Sequence, residues 1–395
     1  MKTNKLFLVA IVGICSLGCQ VKSSDSGTGG STGSGGSTGS GGSTTSTGSG
    51  GAAGSGGTNG TGGSSATGPA DGSKLPCDAY ADDGGPCVAA HSTVRRLTTK
   101  YSGPLYQVRK GGSNTGTGGT TQEIGFGDDG MAKSTDQDDF CGSDSCTISI
   151  IYDQSGQGND LTHAPSGQAK TTPDNEANAK ALTISLGGKT YYGILIKPGI
   201  GYRNNAAKNL ATGDKPQTMY MIAGGSVFNG GCCFDYGNAE TNSRDNGEGT
   251  MEAVYFGNCT IWGKGADNGP WVMGDLENGL WAGNVSPYDN NKPVTYKYVT
   301  ALVKGDSKTT AKPSGWWAIK VGNAQAGALD KPFDGPRPND RYYPMRKEGA
   351  IILGTGGDNS NAAQGNWFEG IMTTHYSSDA ADNNVQANIV SVYGK

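Results

Sequence analysis

The chain has no apolar run long enough to cross a bilayer, no basic stripe and no cluster of metal-ligating residues. Its one N-terminal apolar run, Leu6 to Ile14, falls well short of the roughly 20 residues that a membrane helix needs. Lysine and arginine number 31 against 35 acids, a net charge of −4. That mild acidity supplies no electrostatic footprint for nucleic acid. The only three histidines, His91, His163 and His375, share no ligand spacing, and no pair of CxxC units exists. A zinc centre is therefore not expected, and each histidine reads as structural.

The N-terminus reads as an export signal: Lys2 and Lys5 for the charged start, the apolar run, then Leu17-Gly18-Cys19 at the processing end. Leu-Gly-Cys resembles the end of a bacterial lipoprotein box, which makes Cys19 the expected acylated residue and residues 1–19 the signal. Gln20 stands where an Asp marks inner-membrane retention in many Gram-negative bacteria, so outer-membrane or surface display is expected, with plain secretion as the alternative. Residues 20–73 are built from Gly, Ser and Thr with almost no apolar content. They cannot form a core and read as a flexible tether. A globular texture runs from 74 to 395.

Alternating or β-branched runs bounded by Gly, Asn, Asp and Pro recur across that region, at 147–152, 190–196, 218–222, 251–256, 294–303, 316–321 and 350–353. Only the end looks helical. Ser378 or Asp379 could cap a segment that places Val385, Ile389 and Val392 on one face. The expected fold is all-β, a two-sheet sandwich with long loops and a short C-terminal helix. The turn YDQSGQGN at 152–159 is also found in concanavalin-like (jelly-roll) sandwiches.

Cysteine is plentiful by contrast. Beyond Cys15 and Cys19 there are Cys77, Cys87, Cys141, Cys146, Cys232, Cys233 and Cys259, which points to an oxidising compartment. Spacing alone leaves the connectivity open. The adjacent Cys232 and Cys233 either take distant partners or close on each other into a small rigid ring with a flat face.

Two acidic contexts stand out from the 35 acids. In WVMGDLENGLWAG at 271–283, strand alternation puts Trp271, Met273, Asp275 and Glu277 on one face. Such a face fits either the floor of a polar cleft or a solvent-facing strand side. Asp358 follows paired glycines in GTGGDNSN, where the backbone can approach a ligand closely or simply turn. The spaced acids and terminal Glu of a calcium loop are missing there.

These strings, with CCFDYGNAE at 232–240, PCVAAHST at 86–93, GYRNN at 201–205 and KEGAIILGTGGDNSN at 347–361, resemble the catalytic domain of glycoside hydrolase family 54, the α-L-arabinofuranosidases. The resemblance covers residues 74–395. It implies disulfides Cys77–Cys87, Cys141–Cys146 and Cys232–Cys233, leaving Cys259 unpaired. It places Glu277 on the nucleophile and Asp358 on the acid/base. Asp275, Asn278, Gly357, Trp262 and the Cys232–Cys233 ring fall on sugar-contacting positions. Gly279 stands where the fungal pattern has Asn and Trp281 where it has Phe, while residues 307–314 lengthen one loop. The fungal C-terminal arabinose-binding β-trefoil has no counterpart before Lys395, so a weaker grip on insoluble polymer is expected.

The implied activity is a retaining, exo-acting release of terminal arabinofuranose from arabinan and arabinoxylan side chains, by a monomer, without metal or organic cofactor. Retention requires the two carboxyls about 5–5.5 Å apart. Two competing expectations are a carbohydrate-binding surface lipoprotein that does not cut, and a bifunctional arabinofuranosidase/β-xylosidase.

Overall fold

The computed structural model describes residues 74–395. The expected signal, Cys19 and the tether 20–73 lie outside the described residues.

Two seven-stranded antiparallel sheets carry most of this region. The first runs in the order Cys87–Ser92, Gly365–Thr373, Gln217–Phe228, Tyr298–Asp306, Trp316–Asn323 and Ala326–Gly335, with Ile194–Ile196 also paired to Gly365–Thr373. The second runs Leu280–Trp281, Trp271–Asp275, Glu252–Gly257, Asp235–Ala239, Ala350–Leu353, Tyr202–Asn204 and Thr162–His163. The fold is the expected all-β sandwich. Its sheets meet through aromatic rings set against glycines. Tyr236 and Trp367 lie 5.9 Å apart. A Cβ on Gly370 would come within 2.6 Å of the Tyr236 ring, and one on Gly274 within 2.7 Å of Trp317. Both sheets can thus approach closely only because these strand positions carry no side chain.

The far side of the first sheet is covered by the helix Asp379–Tyr393. Ser378 caps it, its hydroxyl accepting from the Ala381 N–H at 3.1 Å, and Val385, Ile389 and Val392 are buried. Charges taken under this helix are all partnered. Arg95 pairs with Glu369 at 2.7 Å, and Lys304 and Lys320 both reach Asp382.

Three departures from the sequence expectations have local causes. The run at 190–196 divides at Gly193: Lys189–Tyr192 pairs with Thr183–Leu186, while Ile194–Ile196 joins the large sheet. The Phe368 ring lies 2.6 Å from where a Gly193 Cβ would stand, so the chain turns there without a side chain. The run at 147–152 belongs to a separate three-stranded sheet. The central strand Gly365–Thr373, buried at every residue, shows no alternation because both its faces are covered. His91 is a core residue, contacting the Tyr236 hydroxyl at 3.0 Å and the Asn159 carbonyl at 2.9 Å. Burial lowers its proton affinity.

Candidate active site

The site lies on the outer face of the second sheet. Register places Asp235 opposite Tyr255, Tyr255 opposite Met273, and Ala253 opposite Asp275. The acids therefore sit on the face that carries Met273 and not on the face toward the first sheet. Alternation predicted Trp271, Met273 and Asp275 together, and Trp271 and Met273 do share one buried cluster with Cys233 and Cys259.

Glu277 departs from that alternation, because the strand ends at Asp275. Leu276 to Gly279 form the tight turn to Leu280–Trp281, closed by Leu276 N–H donating to the Gly279 carbonyl at 3.0 Å. Glu277 and Asn278 are its two central residues, at φ 62° and 53°. A type I′ hairpin turn demands this left-handed backbone, which glycine and asparagine accept and glutamate does not. Two bonds hold Glu277 there. Its N–H donates to Asp275 Oδ1 at 3.0 Å, and its carbonyl accepts from the Tyr342 hydroxyl at 3.3 Å. Its side chain is buried; that of Asn278 is exposed and donates to Asp245 at 3.1 Å.

Asp358 sits on the loop that follows Ala350–Leu353, half-buried. Its Oδ1 accepts from the Ser360 N–H at 2.9 Å and its carbonyl from the Ala169 N–H at 3.0 Å. Asn359, at φ 69°, donates from its side chain to the Pro165 carbonyl at 2.9 Å. The two preceding glycines bring this loop against the other acids. A Cβ on Gly357 would fall 2.7 Å from Glu277 Oε2 and 2.0 Å from Glu240 Oε2. On Gly356 it would lie 3.6 Å from Cys233 Sγ and 3.7 Å from Asp358 Oδ1.

Cys232 and Cys233 are joined to each other across a cis peptide bond. The ring is fixed by the Ala362 N–H donating to the Cys232 carbonyl at 3.0 Å. Cys233 Sγ touches Asp275 Oδ2 at 3.5 Å. The disulfide leaves neither sulfur as a thiolate, so these three residues do not make a metal centre. Trp262, half-buried, packs on the same cluster as the ring. The remaining disulfides join Cys77 to Cys87 and Cys141 to Cys146, and Cys259 is a free buried thiol.

Gly279 and Trp281 form one feature. A Cβ on Gly279 would stand 2.2 Å from Trp281 Nε1 and 2.6 Å from the Tyr342 hydroxyl. The indole fills the space of the missing side chain.

Sequence reasoning passed over three polar residues of the site, although each lay inside a quoted motif. Asp235 opens the strand of CCFDYGNAE and Glu240 follows its last residue, and Arg203 is in GYRNN. All three are buried. Arg203 donates to the Glu240 backbone carbonyl and, at 3.2 Å, to the Gly356 carbonyl, tying the Glu240 end of one strand to the Asp358 loop. The acids form two close pairs, Asp235 with Asp275 and Glu240 with Glu277. Burial, then the Asp275 charge, pushes Asp235 well above the carboxylate range. Burial raises Asp275 to about 7. Glu277 is pushed well up by burial and then by Glu240, and Glu240 itself is raised by burial. Four buried carboxyls this close cannot all be charged at neutral pH.

The four buried carboxyls thus lie on the outer face of a two-sheet β-sandwich, beside the Cys232–Cys233 ring and Trp262. The chain belongs to the family described as alpha-L-arabinofuranosidase B, catalytic, whose model matches residues 76–394. It is 52% identical over 322 residues to a probable alpha-L-arabinofuranosidase B of Aspergillus terreus, covering 80% of this chain and 62% of that protein. An alpha-L-arabinofuranosidase of Hypocrea jecorina is 51% identical over 323 residues, with the same coverage. The chain thus spans less than two thirds of the length of these relatives. A crystal structure of an arabinofuranosidase complexed with arabinofuranosyl-α-1,2-xylobiose superposes with a TM-score of 0.74 at 47% identity, covering 80% of this chain and 65% of that one.

Proposed function

We propose that the protein is an α-L-arabinofuranosidase that releases terminal L-arabinofuranose from arabinan and arabinoxylan side chains by double displacement with retention. The observation that carries this reading is the meeting of the Glu277 turn and the Asp358 loop at Gly356 and Gly357, beside the Cys232–Cys233 ring. Ionised Glu277 attacks the anomeric carbon, and the bond to the leaving oxygen breaks as Asp358 gives that oxygen a proton. Asp358, now a carboxylate, takes a proton from water, which attacks the same carbon and frees Glu277. Asp275, Asn278 and the N–H of Gly357 line the sugar pocket, with Trp262 and the disulfide ring as its apolar wall. The two acids differ in setting: Glu277 is buried and held by its backbone, and Asp358 is half-open to solvent.

The test is nitrophenol release from 4-nitrophenyl α-L-arabinofuranoside. Glu277→Ala should lose at least about a thousandfold and recover with azide, while Asp358→Ala should lose about 10²–10⁴-fold. The first sugar product seen by NMR should be the α-anomer, and β-xyloside should be a poorer substrate. A folded protein that binds arabinose and cleaves nothing would sink the reading in favour of a binding protein. We further propose that Cys19 is acylated and residues 20–73 tether the domain at the outer membrane or cell surface. Incorporation of labelled palmitate that persists in Cys19→Ala would refute the anchor.

A further inference from the structure

Glu240 is one of two buried site acids, with Asp235, that this mechanism leaves without work, and it is the one placed against the nucleophile. It closes the strand motif at Asp235–Ala239 and is wholly buried. One oxygen, Oε1, accepts from the Thr250 hydroxyl at 2.7 Å. The other, Oε2, has no donor among the described residues. That oxygen and Glu277 Oε2 converge on the single point that a Gly357 side chain would occupy, at 2.0 and 2.7 Å. Two buried carboxyl oxygens that close, with no donor between them, are stable only if a proton lies between them.

We propose that Glu240 is a positioning residue for the reaction, holding one proton in common with Glu277 and so setting the acid limit of the nucleophile. This rests on Glu277 being the nucleophile. The resting proton lies on the Glu277 side, because Glu240 has the stronger charge-stabilising neighbours. Thr250 donates to its carboxyl, and the Arg203 guanidinium is bound to its backbone carbonyl. Glu277 faces the acids Asp275, Asp245 and Glu240, it feels the Arg203 charge less than Glu240 does, and Tyr342 reaches only its backbone carbonyl. Asp358 lies within electrostatic range of Arg203 and Asp275 from the opposite loop. Burial and the Glu240 charge both raise Glu277, in keeping with this assignment.

The test uses the full chain and 2,4-dinitrophenyl α-L-arabinofuranoside, whose leaving group needs no proton, so that Asp358 drops out of the first step. The pH dependence of kcat/KM then reports the ionisation of Glu277. In the wild type its acid limb should fall clearly above the ordinary glutamate value of about 4.3. Glu240→Gln keeps the shape and the Thr250 contact but carries no charge, and it offers Glu277 an N–H donor. Its acid limb should move down by a unit or more, with kcat held within about tenfold. A wild-type limb at or below about 4.3 overturns the proposal without any variant, should Glu240→Gln fail to fold. A limb unmoved in a folded, active Glu240→Gln also overturns it and leaves Glu240 a packing residue. No cleavage of the dinitrophenyl substrate by the wild type would instead remove the arabinofuranosidase reading on which the proposal stands.

Discussion

Glu277 occupies a backbone well that costs a glutamate on the order of 1 kcal/mol or more. A glycine or asparagine would sit there freely, so the turn is built around the carboxylate and not around its own stability. The Asp275 and Tyr342 bonds fix the turn from both sides. The same neighbourhood couples positions 279 and 281. Gly279→Asn should destabilise the protein by about 1–3 kcal/mol, since its side chain meets the Trp281 indole and the Tyr342 hydroxyl. Trp281→Phe removes the indole nitrogen from that space, so the double variant should recover part of the loss. A denaturation cycle over the four proteins measures this, and strictly additive effects would show that the two positions act independently.

Among the elements, legibility followed residue type more than exposure. Glu252–Gly257, buried at every residue, and Trp316–Asn323, buried at all but its two ends, were readable from their aromatic and β-branched content. So was the C-terminal helix, through Ser378 and the apolar positions 385, 389 and 392. Gly365–Thr373 was not readable, because a strand covered on both faces has no period to find and Gly365, Asn366, Glu369 and Gly370 break up its β-forming residues. Nor was the break at Gly193, whose cause is the Phe368 ring from a strand 175 positions later. In the site, Asp275 was legible from its strand, whereas the pairing of Glu277 with Asp358 came from family resemblance. Glu240 and Arg203 carried no local signal at all. Their role depends on Gly357 and Gly356, which are far along the chain and reach them only through the sheet.

On the scale of the molecule, buried acids pull stability in opposite directions with pH. Glu252 lies between Arg337 and Lys347. Although burial opposes its charge, the two cations hold it at about 2. Its contribution is complete above the unfolded value of about 4.3 and is lost as pH falls toward 2. Asp275 has the reverse sign. Raised by burial to about 7, its contribution is complete below the unfolded value of about 3.9 and is lost as pH rises through 7. Asp235 and Glu277, raised well up as well, act in the same sense as Asp275. The melting temperature should therefore peak in mildly acidic solution and fall by several degrees by about pH 8. Asp275→Asn, which still accepts from the Glu277 N–H, should flatten the alkaline fall. A melting temperature that climbs steadily to pH 8 in the wild type would contradict this.

The second sheet orders four neighbouring strands as Trp271–Asp275, Glu252–Gly257, Asp235–Ala239 and Ala350–Leu353. Glu277 hangs from the first of these and Asp358 from the last. The turn of Glu277 is local and can close early, but its partner arrives only when a strand some 75 residues later docks across two intervening strands. Contacts of that sequence separation close late, after the entropy of a long loop has been overcome. On the proposed mechanism catalysis is thus a clock for folding: neither hairpin alone holds both acids, and the first turnover of a refolding chain marks the docking of Ala350–Leu353 on Asp235–Ala239.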